Sequence, residues 1–328
     1  MLVLPIALKA DTVLTVAADG SGQYKTVQAA IDAVPQNTNS TNWCIIRIKP
    51  GVYKELIYVQ REKNYVCLVG EDPKTTVLTY DLYANQRGPD GHAIGTFRTP
   101  STVIDADNFV AQNLTFQNSA GPVGQALAIR LNGDRIAFRN CCFLGWQDTI
   151  FDDRGRHYYT NCFIAGHVDF IFGGGTAFFD HCGIRCLGSG YITAASTPEQ
   201  TPYGFVFSHC KITGNASAKS FLGRPWRAYA SVTFLDTDMS GVIRREGWNN
   251  WKQPDREKTA RYAEFNSTGP GADPPGRVKW ALQLTATEAG AITVEKVLGG
   301  SDHWNPTAVL EELPTNFNFS AAALTAKP

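Results

Sequence analysis

The sequence predicts an all-β protein, a right-handed parallel β-helix with short capping helices at its ends. Three observations carry that expectation. The middle of the chain repeats itself: Asn140-Cys141-Cys142-Phe143, Asn161-Cys162-Phe163-Ile164, His181-Cys182-Gly183-Ile184 and His209-Cys210-Lys211-Ile212 share one pattern, with Asn113-Leu114-Thr115-Phe116 an earlier relative. Aligned on Cys141, Cys162, Cys182 and Cys210, the steps are 21, 20 and 28 residues, a period that belongs to a solenoid. The apolar runs are short and alternate, as in Ile45-Ile46-Arg47-Ile48, Val66-Cys67-Leu68-Val69, Phe205-Val206-Phe207 and Val232-Thr233-Phe234-Leu235, and this is strand rather than helix periodicity. Gly and Asn mark the corners between runs. Leucine-rich repeats would need a regular Leu spacing that is absent. The cysteine column then becomes an inward stack of small apolar side chains.

The elements follow in order. Residues 1–14 read as a signal remnant or a leading strand, since MLVLPIAL is apolar but short and lacks a basic flank. Residues 24–35 read as a helix covering one open end of the solenoid. Val27, Ala30, Ile31 and Val34 fall on one helical face, and Pro35 stops it. Gly51 to Glu55 reads as a structural corner turn. The Gly- and Pro-rich stretch 266–277 is a loop. Thr285 and Glu288 then have capping-box spacing before a helix around 286–297 at the other end. The 328 residues form a single domain, with 266–328 a C-terminal loop and capping helix.

Composition narrows the function. Lys+Arg and Asp+Glu are 30 each, so the formal charge is zero, without the basic surplus of a nucleic-acid binder. No apolar run reaches the roughly 18 residues that span a bilayer. The eight cysteines form no CxxC pair, and no HxxxH or HExxH spacing occurs, so no metal is expected. A Cys182–Cys186 disulfide competes with buried free thiols. His181 and His209, each before a repeat Cys, read as corner packers. A serine hydrolase lacks its GxSxG elbow.

The repeat extends past the cysteines. Leu144-Gly145-Trp146-Gln147-Asp148-Thr149-Ile150-Phe151 lies against Ala165-Gly166-His167-Val168-Asp169-Phe170-Ile171-Phe172. Asp148 and Asp169 are 21 residues apart, the same step as Cys141 to Cys162. Equivalent positions on adjacent coils sit about 4.8 Å apart. Two carboxyls at that distance cannot both ionise cheaply, so one holds a proton beside a carboxylate, an arrangement for general acid–base work. The competing explanation is an Asp ladder capping backbone amides at a turn. Gln147 beside Asp148 and the apolar flanks Trp146, Ile150, Phe151, Phe170, Ile171 and Phe172 weigh against it.

At these residues the chain resembles the pectin methylesterases, carbohydrate esterases built on a right-handed parallel β-helix. The resemblance spans roughly residues 15–310 and rests on five motifs in family order: Gly51-Val52-Tyr53-Lys54-Glu55, Gln125-Ala126-Leu127-Ala128-Ile129-Arg130, Gln147-Asp148-Thr149-Ile150, Asp169-Phe170-Ile171-Phe172-Gly173 and Leu222-Gly223-Arg224-Pro225-Trp226. Departures are small: apolar swaps at Leu127, Ala128, Ile129 and Ile150, Gly174-Gly175 for a common Asn-Ala, and His167 where Thr is frequent in plant members. The resemblance implies Asp169 as nucleophile and Asp148 as general acid and then base. It implies Gln147 and Gln125 as oxyanion donors and Arg224 as the partner that keeps Asp169 ionised. Trp226 resembles the family's sugar-stacking tryptophan. Phe170 and Val168 flank the nucleophile as candidates for the methyl pocket, although alternation argues against both pointing the way Asp169 does. Thr96 falls near a substrate-contacting Thr, and Trp248, with Trp251, extends the platform or enters the core.

The implied activity is hydrolysis of the C6 methyl ester of methylated polygalacturonate to pectate and methanol, with no cofactor, by a secreted enzyme (periplasmic if bacterial). The implied partners are pectin and a proteinaceous inhibitor, with no nucleic acid, no membrane and a monomeric state. Two other readings stand beside it. Another pectin-active β-helix enzyme would be a lyase with a Ca²⁺ carboxylate cluster and a basic Brønsted group, or a hydrolase with carboxyls further apart than one coil. A non-catalytic carbohydrate-binding β-helix would not need the Gln and Asp column. The sequons at Asn39, Asn113, Asn215, Asn266 and Asn318 matter only in a glycosylating secretory host.

Overall fold

The computed structural model describes residues 12–36, 38–215 and 217–313. Of the expected signal remnant or leading strand at 1–14, residues 1–11 lie outside the described residues, as does the sequon at Asn318. Thr12–Val16 is a strand.

The strands wind as successive coils of a parallel β-helix. One eleven-stranded sheet starts at Thr12–Val16, runs through Ile136–Arg139 and Thr176–Asp180, and ends at Leu282–Gln283. The other thirteen strands form two further faces. These faces join where Phe163–Gly173 bends, pairing first with Cys142–Leu144 and then with Ile150–Asp152. Every named strand pair is parallel, so equivalent residues of adjacent coils stack in columns.

The repeat has a conformational cause. Asn113, Asn140, Asn161, His181 and His209 all take the left-handed conformation, with φ between 52° and 57°. Asn tolerates that region better than most residues, which is why it recurs there. The next side chain turns inward. The thiols of Cys141, Cys162, Cys182 and Cys210 face backbone carbonyls of Ala111, Phe138, Tyr159 and Phe179 on the preceding coil. All eight cysteines are buried, and Cys182 and Cys186 are not joined to each other. Burial pushes the thiols of the Cys141, Cys162, Cys182 and Cys210 column up, and that of Cys186 to about 11, so these act as packing groups and not nucleophiles. Inside the coil an aromatic column continues through Phe138, Tyr159, Phe179, Phe207 and Phe234, with centroids 5.0, 4.4, 4.5 and 4.4 Å apart.

The first open end is covered as expected. The helix is Val27–Asp32, and Val27, Ala30 and Ile31 are buried in the core. Glu55 accepts from the amides of Val27 (2.8 Å) and Gln28 (2.9 Å), satisfying two of the unpaired donors at the helix start. Gly51–Lys54 is therefore a strand carrying a helix anchor, not a corner turn.

The C-terminal segment departs from expectation in two ways. The helix around 286–297 is two helices, Ala286–Gly290 and Val294–Leu298, because Thr293 starts a second cap. Together with Pro306–Glu312 they lie along a flank of the solenoid and not over its end. Leu298, Trp304 and Leu310 pack on Val110, Tyr158, Phe178 and Val206, which face outward from the long sheet. That sheet is apolar on both faces, so its outside must also be covered. The far end is closed by Val278 and Trp280 of the preceding loop, packed on the core.

Candidate active site

Register brings the two aspartates together. Gln125 bridges to Gln147 and Gln147 to Val168, while Ile129, Ile150 and Ile171 align on successive coils. Asp148 is therefore the rung beside Asp169. Both have left-handed backbones, φ 64° and 51°. For a non-glycine residue this costs on the order of 1–3 kcal/mol, and such strain collects at functional sites. It also breaks strand alternation: Asp169 faces outward while Phe170 and Ile171 both turn inward. Gly166 makes this packing possible, since a Cβ there would sit 2.2 Å from the Phe170 Cβ. Gly145 serves the preceding coil in the same way against Thr149, whose Oγ1 would be 2.7 Å from that Cβ.

The two carboxyls sit in different fields. Asp148 is 8% exposed and, among the described residues, has no charged hydrogen-bond partner. Burial, and then the charge of Asp169, push its pKa well above the usual carboxylate range, so it holds a proton. Burial lifts Asp169 as well, but Arg224 opposes that rise through a bidentate pair, Nε to Oδ1 at 2.9 Å and Nη2 to Oδ2 at 2.6 Å. Asp169 remains the more acidic of the two. The Arg224 guanidinium is itself clamped between the Trp251 and Tyr191 rings, 3.7 and 3.9 Å from their centroids. A planar fork fixed in this way cannot swing off the carboxylate.

These groups open into a cleft of about 260 Å³ lined by Thr96, Gln125, Gln147, Asp148, Asp169, Arg224 and Trp226, with Phe97, Phe172, Ala194 and Trp251. Phe172 stacks on Phe151 at 4.5 Å, and Trp226 meets both edge-on. One wall is therefore aromatic and the floor is polar, a combination suited to a sugar ring.

Seven of the ten residues picked from sequence line this cleft. Three do not. Phe170 is fully buried in the solenoid core, turned inward by the left-handed backbone of Asp169. Trp248 is 1% exposed, stacked on Tyr262 at 4.3 Å, with its indole N–H donated to Glu264. Val168 pairs through its backbone with Gln147 and Tyr191, and its side chain is not part of the lining. Sequence reasoning missed Phe97 and Tyr191 and placed Phe172 only among apolar flanks. The signal for Phe172 was its position three residues after Asp169. Tyr191 had no signal, because its role depends on a contact with a loop residue 33 positions away.

A parallel β-helix with a protonated acid beside an arginine-paired carboxylate, under an aromatic wall, defines a carbohydrate-active hydrolase of the double-carboxyl kind. Comparison with known proteins narrows this. The pectinesterase family model matches residues 13–301. Pectinesterase 31 of Arabidopsis thaliana is 43% identical over 282 residues, covering 84% of this chain and 88% of that protein. The pectin methylesterase from carrot has a TM-score of 0.83 at 33% identity, covering 95% of this chain and 98% of its own. A pectin methylesterase solved in complex with a hexasaccharide has a TM-score of 0.79 at 30% identity, covering 91% and 99%. The chain belongs to the pectinesterase family.

Proposed function

We propose that this chain hydrolyses the C6 methyl ester of methylated polygalacturonate, with Asp169 as nucleophile. The Asp169 carboxylate attacks the ester carbonyl, and the amide N–H groups of Gln125 and Gln147 receive the charge that develops on its oxygen. Asp148 gives its proton to the departing methanol, leaving an acyl-enzyme anhydride on Asp169. Asp148, now a carboxylate, takes a proton from water as the water attacks the anhydride. This releases the galacturonate carboxyl and restores both aspartates. Neutral glutamines suit the oxyanion role because a cation there would pull the Asp148 proton away. Trp226 and Thr96 hold the sugar, and the Phe172 side of the aromatic wall faces the methyl group.

The observation that carries this reading is the unequal pair: two carboxyls one coil apart, one desolvated and unpaired, the other gripped by Arg224. Among the described residues no helix is long and apolar enough to cross a membrane. The reading also makes the chain a secreted monomer that meets its polymer outside the cell. The half-exposed Phe97 at the rim offers an inhibitor protein a surface to occlude.

The test is incubation with highly methylated pectin while following methanol, acidity and polymer length. Methanol release without shortening is expected. Unsaturated or reducing ends would overturn the esterase reading. Asp169→Asn should abolish methanol release with its circular dichroism spectrum unchanged, and retained release would overturn the nucleophile assignment.

A further inference from the structure

The corner that repeats along the solenoid carries a chemical exception. Asn113, Asn140, Asn161, His181, His209, Asp236 and Asn266 all take the left-handed conformation. From Asn113 to Asp236, each donates its backbone N–H to the carbonyl just before the next corner. They form one column. Elsewhere in it, neighbours join through side-chain amides: Asn140 donates to Asn113 at 3.3 Å and Asn266 to Asp236 at 2.7 Å. At 181 and 209 the rungs are imidazoles instead, stacked nearly parallel (6°) with centroids 5.0 Å apart.

Stacked imidazoles cannot hydrogen-bond each other, so their ring nitrogens meet other groups instead. His209 Nδ1 is 2.9 Å from Ser208 Oγ, a contact that orients the ring. His181 Nδ1 is 2.7 Å from Asp180 Oδ1. The other Asp180 oxygen accepts from the Tyr158 hydroxyl at 2.9 Å. Donor atoms of Asp180, His181 and His209 all lie within 4.8 Å of one another. Both imidazoles are exposed, so nothing in the packing prevents the rings from tilting together.

We propose that Asp180, His181 and His209 bind a divalent transition ion of the Zn²⁺ type, outside the catalytic cleft. Two imidazole nitrogens and a carboxylate oxygen match the preference of such ions, with water completing a tetrahedron. Nitrogens on a tetrahedral zinc ion lie about 3.3 Å apart, given bonds of about 2.05 Å, so closure needs only side-chain rotation. Ser208 orients His209, and Tyr158 holds Asp180, as supporting groups do around metal ligands. The ion would clip together two coils whose corners are 28 residues apart in sequence. That separation explains why no sequence spacing signals the site.

The test is calorimetric titration of the full chain with Zn²⁺ alone, for the wild type, His181→Asn and His209→Asn. Asn is the residue that neighbouring corners carry at the same backbone angles, so both variants should fold. The wild type should bind one equivalent, weakened at least tenfold in either variant, and Zn²⁺ should raise the melting temperature of the wild type alone. Methanol release should be equal in all three. No binding by the wild type, or equal binding by His209→Asn, would overturn the site.

Discussion

Replacing Arg224 with methionine tests the electrostatics of Asp169, the proposed nucleophile. In the folded protein the guanidinium makes two bonds to Asp169, at 2.9 and 2.6 Å, with side-chain exposures of only 19% and 8%, so solvent screens the pair weakly. Methionine keeps a flexible apolar stem between Tyr191 and Trp251 but removes the charge and both donors. Stripping one partner from a buried pair costs about 3–5 kcal/mol. Asp169 escapes that cost by taking a proton. At 1.36 kcal/mol per pKa unit, its pKa rises by about 2–4 units. In the proposed reaction attack needs the ionised form, so the acid limb of kcat/KM moves the same distance toward higher pH, and below the new pKa the rate falls about tenfold per unit. Initial rates of methanol release across the acid and neutral range measure this. Arg224→Lys restores charge without the bidentate fork or the stacking plane, so it should shift the limb part of the way. A lower rate with an unmoved acid limb would refute the claim that Arg224 acts through the charge of Asp169.

Two further predictions concern stability. Gly166→Ala drives a Cβ to 2.2 Å from the Phe170 Cβ and 2.8 Å from the Trp146 carbonyl oxygen, whereas at Gly188 the nearest atom, on His167, is 3.6 Å away. Chemical denaturation should show Gly166→Ala destabilised by about 1–3 kcal/mol or more, and Gly188→Ala nearly neutral at about 0.5 kcal/mol; equal midpoints would mean Phe170 is not locked in place. Burial raises the folded-state pKa of Asp148 above the ordinary carboxylate value of 3.8, so it lowers stability progressively as pH climbs from 3.8 through the raised value. Asp148→Asn should therefore melt above the wild type at neutral pH while losing methanol release, and the gain should disappear in acid below 3.8.

Much of the fold was legible because a solenoid writes its period into the chain. Cys141, Cys162 and Cys182 had to be small and apolar because each sits behind a left-handed corner, and the corner had to be Asn-like for steric reasons. The same period carried the Asp148–Asp169 register without knowledge of any contact. The failures have a common origin. Phe170 was a methyl-pocket candidate because it adjoins Asp169 in the chain, and adjacency does not say which way a ring turns; here it enters the core. Trp248 and Trp251 share one short motif, and nothing in GWNNW tells which ring faces the core. The C-terminal helices were expected at the end because solenoids have open ends. Both faces of the long sheet are apolar, and that became informative only once all the strands lay side by side.

The sequence by itself determined the coil, its corners and the stacking of two carboxyls, because these depend on spacing along one chain. The tertiary structure decided which carboxyl keeps its proton. That outcome depends on how deeply each is desolvated and on an arginine brought 55 residues from Asp169 and clamped between two rings. Such choices depend on distance through space, and chain order does not encode it.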